Sequence, residues 1–121
     1  MWRNILLVAA GGALGAVVRY LASRLIVSSW PWSTLAVNLL GSLLIGLLVG
    51  WAGRGLLSPE MKLLLVTGFC GGLTTFSTFA NETFLMMKTG DILLATVYVG
   101  LSVAVGILAV WLGMLLSGAL R

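Results

Sequence analysis

Four apolar runs, each about as long as a bilayer is thick, leave this chain little choice of solvent. A hydrocarbon core of about 30 Å needs roughly 20 helical residues, and four stretches of the sequence meet that length. The first runs from Asn4 to Arg24 and the second from Ser33 to Gly53. The third is entered through Pro59, a residue suited to a first helical turn, and covers 61–87; the fourth covers 92–118. Composition points the same way: 60% of the 121 residues are hydrophobic and 8% charged, against about 25% charged in a soluble domain. The expected fold is an all-α integral membrane protein, one four-helix transmembrane domain over 1–121. The connections are short, so the helices must pack as antiparallel neighbours with no soluble domain between them.

The charges exclude several classes of function. Three acidic residues and no histidine leave little material for hydrolytic, proton-relay or metal-ligand chemistry, which argues against an enzyme. The seven basic residues are Arg3, Arg19, Arg24, Arg54, Lys62, Lys88 and Arg121, spread singly, so no phosphate-tracking patch for nucleic acid exists. They stand near the ends of apolar runs, where long side chains snorkel to headgroups. Arg19 is the deepest, about 7.5 Å inside its run at a helical rise of about 1.5 Å per residue. Nothing resembles a phosphate-cradling loop, so no nucleotide is expected. Cys70 is alone and reads as a small packing residue. The basic, apolar start looks superficially like a signal peptide but lacks a clear cleavage site and is expected to be retained.

Small residues recur every fourth position: Gly11 and Gly15, then Ser42, Gly46 and Gly50, then Ala109, Gly113 and Ser117. Such stripes let helices approach closely, or are simply the glycine common in membrane helices. An even number of spans puts both termini on one side, with Arg3, Arg54, Lys62 and Arg121. The other side has Arg24 and Lys88, with Arg19 near it. Under the positive-inside rule this bias is weak, so insertion in both orientations and an antiparallel homodimer are expectations worth carrying. Trp30, Pro31 and Trp32 form an aromatic anchor at a turn before the second span.

The third run is interrupted. From Gly68 to Phe79 it reads GFCGGLTTFSTF, three glycines and four hydroxyls in twelve residues at mid-span, which makes a poor continuous helix. A break over Gly71 to Phe79 would free carbonyls and amides at membrane depth, tolerated only where they are buried in protein, line water or bind an ion. Neutral carbonyl oxygens without a carboxylate would suit a monovalent cation. The alternative is that the hydroxyls bond back to the preceding turn and the glycines only pack.

At these residues the chain resembles the Fluc, or CrcB, family of fluoride channels. The likeness rests on Gly12, Gly15, Ala16, Arg19 and Tyr20 in the first span, Asn38, Gly41 and Gly46 in the second, and the run Gly68 to Phe79 in the third. It implies a dual-topology homodimer with two pores, passing fluoride ion across the cell membrane, and a central sodium ion (Na+) held by the backbone carbonyls of Gly71 and Thr74 from both copies. It further implies that Phe76 and Phe79 face the two pores, that Asn38 lines a pore as an amide donor, and that Arg19 sits in an aqueous vestibule. Tyr98 and Ser102, one turn apart in the fourth span, resemble the family's polar track. The next positions in register are Gly106 and Val110, which depart from it, so Thr75 or Ser77 would contribute instead.

Each role has its plain physical alternative. Phe76 and Phe79 could be ordinary core, Asn38 interhelical glue, and Arg19 a snorkelling side chain or the partner of Glu82. The role of Glu82 stays open, and the glycosylation-like run Asn81, Glu82, Thr83 is discounted at this depth. Two rival functions fit four short spans: a dual-topology secondary transporter of the multidrug-exporter kind, which needs a central carboxylate, and a non-conducting assembly subunit, which leaves the interrupted helix without purpose.

Overall fold

The computed structural model describes residues 1–120; Arg121, grouped above with the basic residues of the terminal side, lies outside the described residues. Helices are the sole regular secondary structure among the described residues, with no strand, and four are long and apolar enough to cross a membrane: Trp2–Leu25, Trp32–Gly53, Pro59–Lys88 and Ile92–Ser117. They match the four runs read from the sequence to within a few residues.

Local chemistry sets the boundaries. Trp30 and Trp32 flank Pro31 with ring centroids 4.6 Å apart, and the second helix starts there. It ends in a turn through Gly55, whose φ of +76° favours glycine. Ser58 then caps the third span, its Oγ accepting from the Met61 N–H at 3.1 Å, with Pro59 in the first turn. Gly90 (φ +90°) turns the chain into the fourth helix, and Gly118 (φ +83°) ends that helix in a left-handed cap.

The third span departs from the expectation in two ways. Its break is confined to Thr74 and Thr75, which are extended (φ −86°, ψ 155° and φ −147°, ψ 121°), while Gly71–Leu73 remains helical. Gly71 and Gly72 are therefore not the breaking residues. A methyl on Gly72 would run into the Gly12 backbone, so glycine is needed there for packing. Upstream, Leu63–Cys70 winds as a π-helix, with nothing in its composition to distinguish it from an α-helical span.

The helices pack as two pairs. The first lies against the first half of the third span, where Gly11 and Gly15 meet the backbone of Leu64, Gly68, Phe69 and Gly72. The second lies against the fourth, Gly46 on Val110 and Gly113, and Gly50 on Ser117. The small-residue stripes allow this close approach, against backbone at Gly11, Gly15 and Gly46 and against the Ser117 side chain at Gly50. Cys70 is fully buried, as a packing residue should be. Arg3 pairs with Glu60 at 3.0 Å and the Arg54 guanidinium donates to the Ser117 carbonyl, which gathers both chain ends and the second connection on one side. The fourth helix leaves Leu93, Ile107, Leu108 and Leu116 exposed within the chain, so its outer face needs lipid or another protein surface.

Candidate functional site

The break is held by side chains from two other helices. In a continuous helix the Thr75 N–H would bond to the Gly71 carbonyl; instead it donates to Asn38 Oδ1 at 2.8 Å. Asn38 Nδ2 in turn donates to the Thr75 carbonyl at 3.2 Å. The amide behaves as a borrowed peptide group, and pairing with both a donor and an acceptor fixes its orientation. One N–H of Nδ2 is left over. From the first helix, Arg19 Nε donates to the Gly72 carbonyl at 3.0 Å. Thr75 Oγ1 caps the second half-helix by accepting from the Thr78 N–H at 3.2 Å, and Thr74 Oγ1 returns to the Cys70 carbonyl at 2.9 Å.

Beside this bracket lies an open groove of about 350 Å³, bordered by the second helix, the break and the fourth helix. Asn38, Thr74, Thr75, Phe76, Phe79 and Ser102 all line it, and among the described residues no charged side chain does. Within one chain both phenylalanines border the same groove, their ring centroids 5.9 Å apart. Phe76 is 77% exposed, among the most exposed apolar side chains of the spans. Ser102 Oγ is buried and has no hydrogen-bond partner, a costly arrangement in an apolar setting unless something else takes the proton.

Tyr98 does not line the groove. It is fully buried behind Phe79, rings 5.0 Å apart, and its hydroxyl donates to Glu82 Oε1 at 2.9 Å. Thr34 Oγ1 donates to the other carboxylate oxygen at 3.1 Å. The Arg19–Glu82 pair weighed above is therefore absent, because each side chain has other partners. Glu82 itself faces a second depression with Trp30, Thr89 and Asp91. Arg19 borders a separate pocket of about 230 Å³ with Tyr20, Ser23, Ser33, Thr34, Thr75 and Thr78. Gly71 lies outside the groove, exposed, with no atom within 4 Å of where a Cβ would stand.

Sequence reasoning did not single out Thr34. The available signal was Glu82 itself, since a carboxylate inside a span must find donors, and threonine near the start of the second span is one. It also gave Asn38 a choice of two roles where the structure makes it the splint of the break, with one N–H to spare.

Residues 6–114 match the family described as CrcB-like protein, Camphor Resistance (CrcB). Among curated proteins the chain is 50% identical over 119 residues to a fluoride-specific ion channel FluC of Chlorobaculum tepidum, covering 95% of this chain and 94% of that one. It is 47% identical over 114 residues to one from Shewanella baltica (91% and 92% covered) and 39% identical over 120 residues to one from Flavobacterium psychrophilum (95% and 97%).

Proposed function

The chain belongs to the CrcB family, and from that membership we propose that it is a fluoride-selective channel, exporting the anion passively down its electrochemical gradient. It is a multi-pass membrane protein and not an enzyme. The observation that carries the proposal is the groove, lined by two phenylalanines, by Asn38 with an amide N–H to spare and by Ser102 with an unspent hydroxyl, and by no charged side chain among the described residues. A ring edge is weakly positive and can touch a small anion without creating a deep well. Hydroxyl and amide donors replace part of its hydration shell. Contacts of this strength let an ion enter and leave again, as conduction requires.

The driving force is the membrane potential. At about 100 mV, inside negative, one charge is worth about 2.3 kcal/mol, which holds an anion roughly 50-fold lower inside than outside. Hydrogen fluoride enters neutral and dissociates, so a leak for the anion alone relieves the cell. An exchange mechanism would have to work through Glu82, the carboxylate set deepest in a span, which is occupied by Thr34 and Tyr98, since Glu60 stands at a span end paired with Arg3.

The path is completed by a second copy of opposite orientation, Phe76 of one copy and Phe79 of the other serving each of two pores, with Arg19 at a mouth. The exposed Phe76, the bare surface at Gly71 and the near-balanced charges of the two sides support that assembly. A sodium ion would be held at the dimer centre by the Gly71 and Thr74 carbonyls of both copies. The donor set fits: the Thr75 N–H that would serve the Gly71 carbonyl is taken by Asn38, and among the described residues no three His, Cys, Asp or Glu converge. Neutral oxygens of this kind suit a monovalent cation. When bound, the ion supplies positive charge that offsets the converging carbonyl dipoles.

Liposomes loaded with potassium fluoride test the proposal. Fast fluoride release on adding a potassium ionophore, with no chloride release under the same conditions, is the expected result. Silence, or equal chloride flux, overturns it.

A further inference from the structure

Ser42 stands one turn after Asn38 in the second helix, and Ser102 one turn before Gly106 in the fourth; all four line the groove. A hydroxyl in a membrane helix ordinarily gives its proton to a carbonyl three or four residues back. Thr83 does so to Phe79 at 2.8 Å, Thr96 to Ile92 at 2.9 Å and Ser117 to Met114 at 2.6 Å. The two serines of the groove do not. Ser102 Oγ is buried without a partner, and no hydrogen bond joins the Ser42 hydroxyl to any described residue, although it opens on the same space. A Cβ placed on Gly106 would meet one neighbour within 4 Å, Ser42 Oγ at 3.8 Å. The fourth helix thus has no side chain at the position facing that hydroxyl, and the gap leaves the hydroxyl open to the groove.

We infer that Ser42 is a direct donor to the permeating anion, supplying from the second helix the hydroxyl that the fourth helix lacks at Gly106. The polar path crosses the groove, from Ser102 to Ser42, where it would otherwise stop at Ser102. Beyond the crossing the lining becomes Ile45 and Val110, with no donor side chain. The inference rests on the fluoride-channel function proposed above, and its test keeps the two separate.

The experiment uses the full chain in liposomes, with fluoride efflux read by electrode and chloride as the control. Failure of the unmodified protein to pass fluoride overturns the channel function, not the role of Ser42. Given a conducting protein, Ser42→Ala slows efflux roughly ten- to a hundredfold, the effect of one lost hydrogen bond to an ion, while Ser42→Thr stays within about twofold. The double variant Ser42→Ala with Gly106→Ser recovers most of the rate, because the 3.8 Å gap admits a hydroxyl from the opposite helix. Should the alanine variant fail to elute as the unmodified protein does, Ser42→Gly removes the same hydroxyl at a size its neighbours Gly41 and Gly46 already have. An unchanged rate in the hydroxyl-free variant overturns the inference. So does a slowed rate that Gly106→Ser leaves unrestored, since packing alone would then explain it.

Discussion

Replacing Asn38 by alanine strips both halves of the bracket on Thr75. The Thr75 N–H loses an acceptor at 2.8 Å and its carbonyl loses a donor at 3.2 Å. Neither can turn to its own chain, because Thr74 and Thr75 are extended and the preceding turn is already closed by the Thr74 N–H on the Cys70 carbonyl. An unsatisfied buried backbone group costs about 1–3 kcal/mol, so two would cost about 2–6 kcal/mol in a dry site. The groove admits water, which returns part of that, and about 2–4 kcal/mol is the expected loss. Unfolding in detergent, followed by tryptophan fluorescence, measures it. Asn38→Asp is the informative companion: it keeps an acceptor for the Thr75 N–H but sets a second acceptor against the Thr75 carbonyl, so it rescues little. A change below about 0.5 kcal/mol for Asn38→Ala, the range of an ordinary surface substitution, would refute the splint.

Other outcomes follow from the same geometry. Phe76→Ile and Phe79→Ile should each slow fluoride efflux at least about tenfold, a barrier change of about 1.4 kcal/mol, in protein that still elutes intact; full rates in both would remove the rings from the path. Gly46→Ala puts a methyl 3.1 Å from Gly113 Cα and against the Val110 carbonyl, and should destabilise by about 1–3 kcal/mol. Gly100→Ala meets nothing within 4 Å and should be neutral or up to about 1 kcal/mol stabilising; equal effects in one unfolding assay would contradict the pairing of the second and fourth helices. Exchanging sodium for a large organic cation should lower the unfolding temperature, with about 2.7 kcal/mol at stake when the ion stood at 100 times its Kd; indifference to the exchange argues against the central ion. Reporters fused after the last helix should show both orientations, and one orientation alone would exclude the antiparallel dimer.

The spans were legible because lipid imposes one rule on every backbone group, and length plus apolarity reads that rule directly. Pro59 marked the entry to the third span, whereas the Ser58 cap and the glycines at positive φ emerged only with the structure. The interruption was legible in kind but not in position. Gly71 and Gly72 are weak helix formers, yet helix–helix contact decides their role: Gly72 is glycine because Gly12 lies against it, and the chain actually opens at two threonines. The π-helical turns of Leu63–Cys70 left no trace in the sequence, since their residues would serve an α-helix equally well. Side-chain partners were the hardest part. Glu82, Tyr98 and Thr34 come from three helices, and nothing in one-dimensional spacing brings them together. Asn38 was conspicuous as an amide in an apolar run, but its partner is the backbone of Thr75, which a sequence cannot display.

The two side chains that splint the break, Arg19 and Asn38, belong to the first and second helices, ahead of the carbonyls they satisfy. A chain made from its N-terminus delivers elements in that order. When the third span leaves the ribosome, its supports are already in the bilayer. The same segment delivered first, as in a permuted chain beginning at the third span, would enter lipid with the groups at Thr75 and Gly72 unmet, and would be driven toward an unbroken helix or back into water. Gene order here is part of the assembly instructions: the unstable piece is synthesised after its scaffolding.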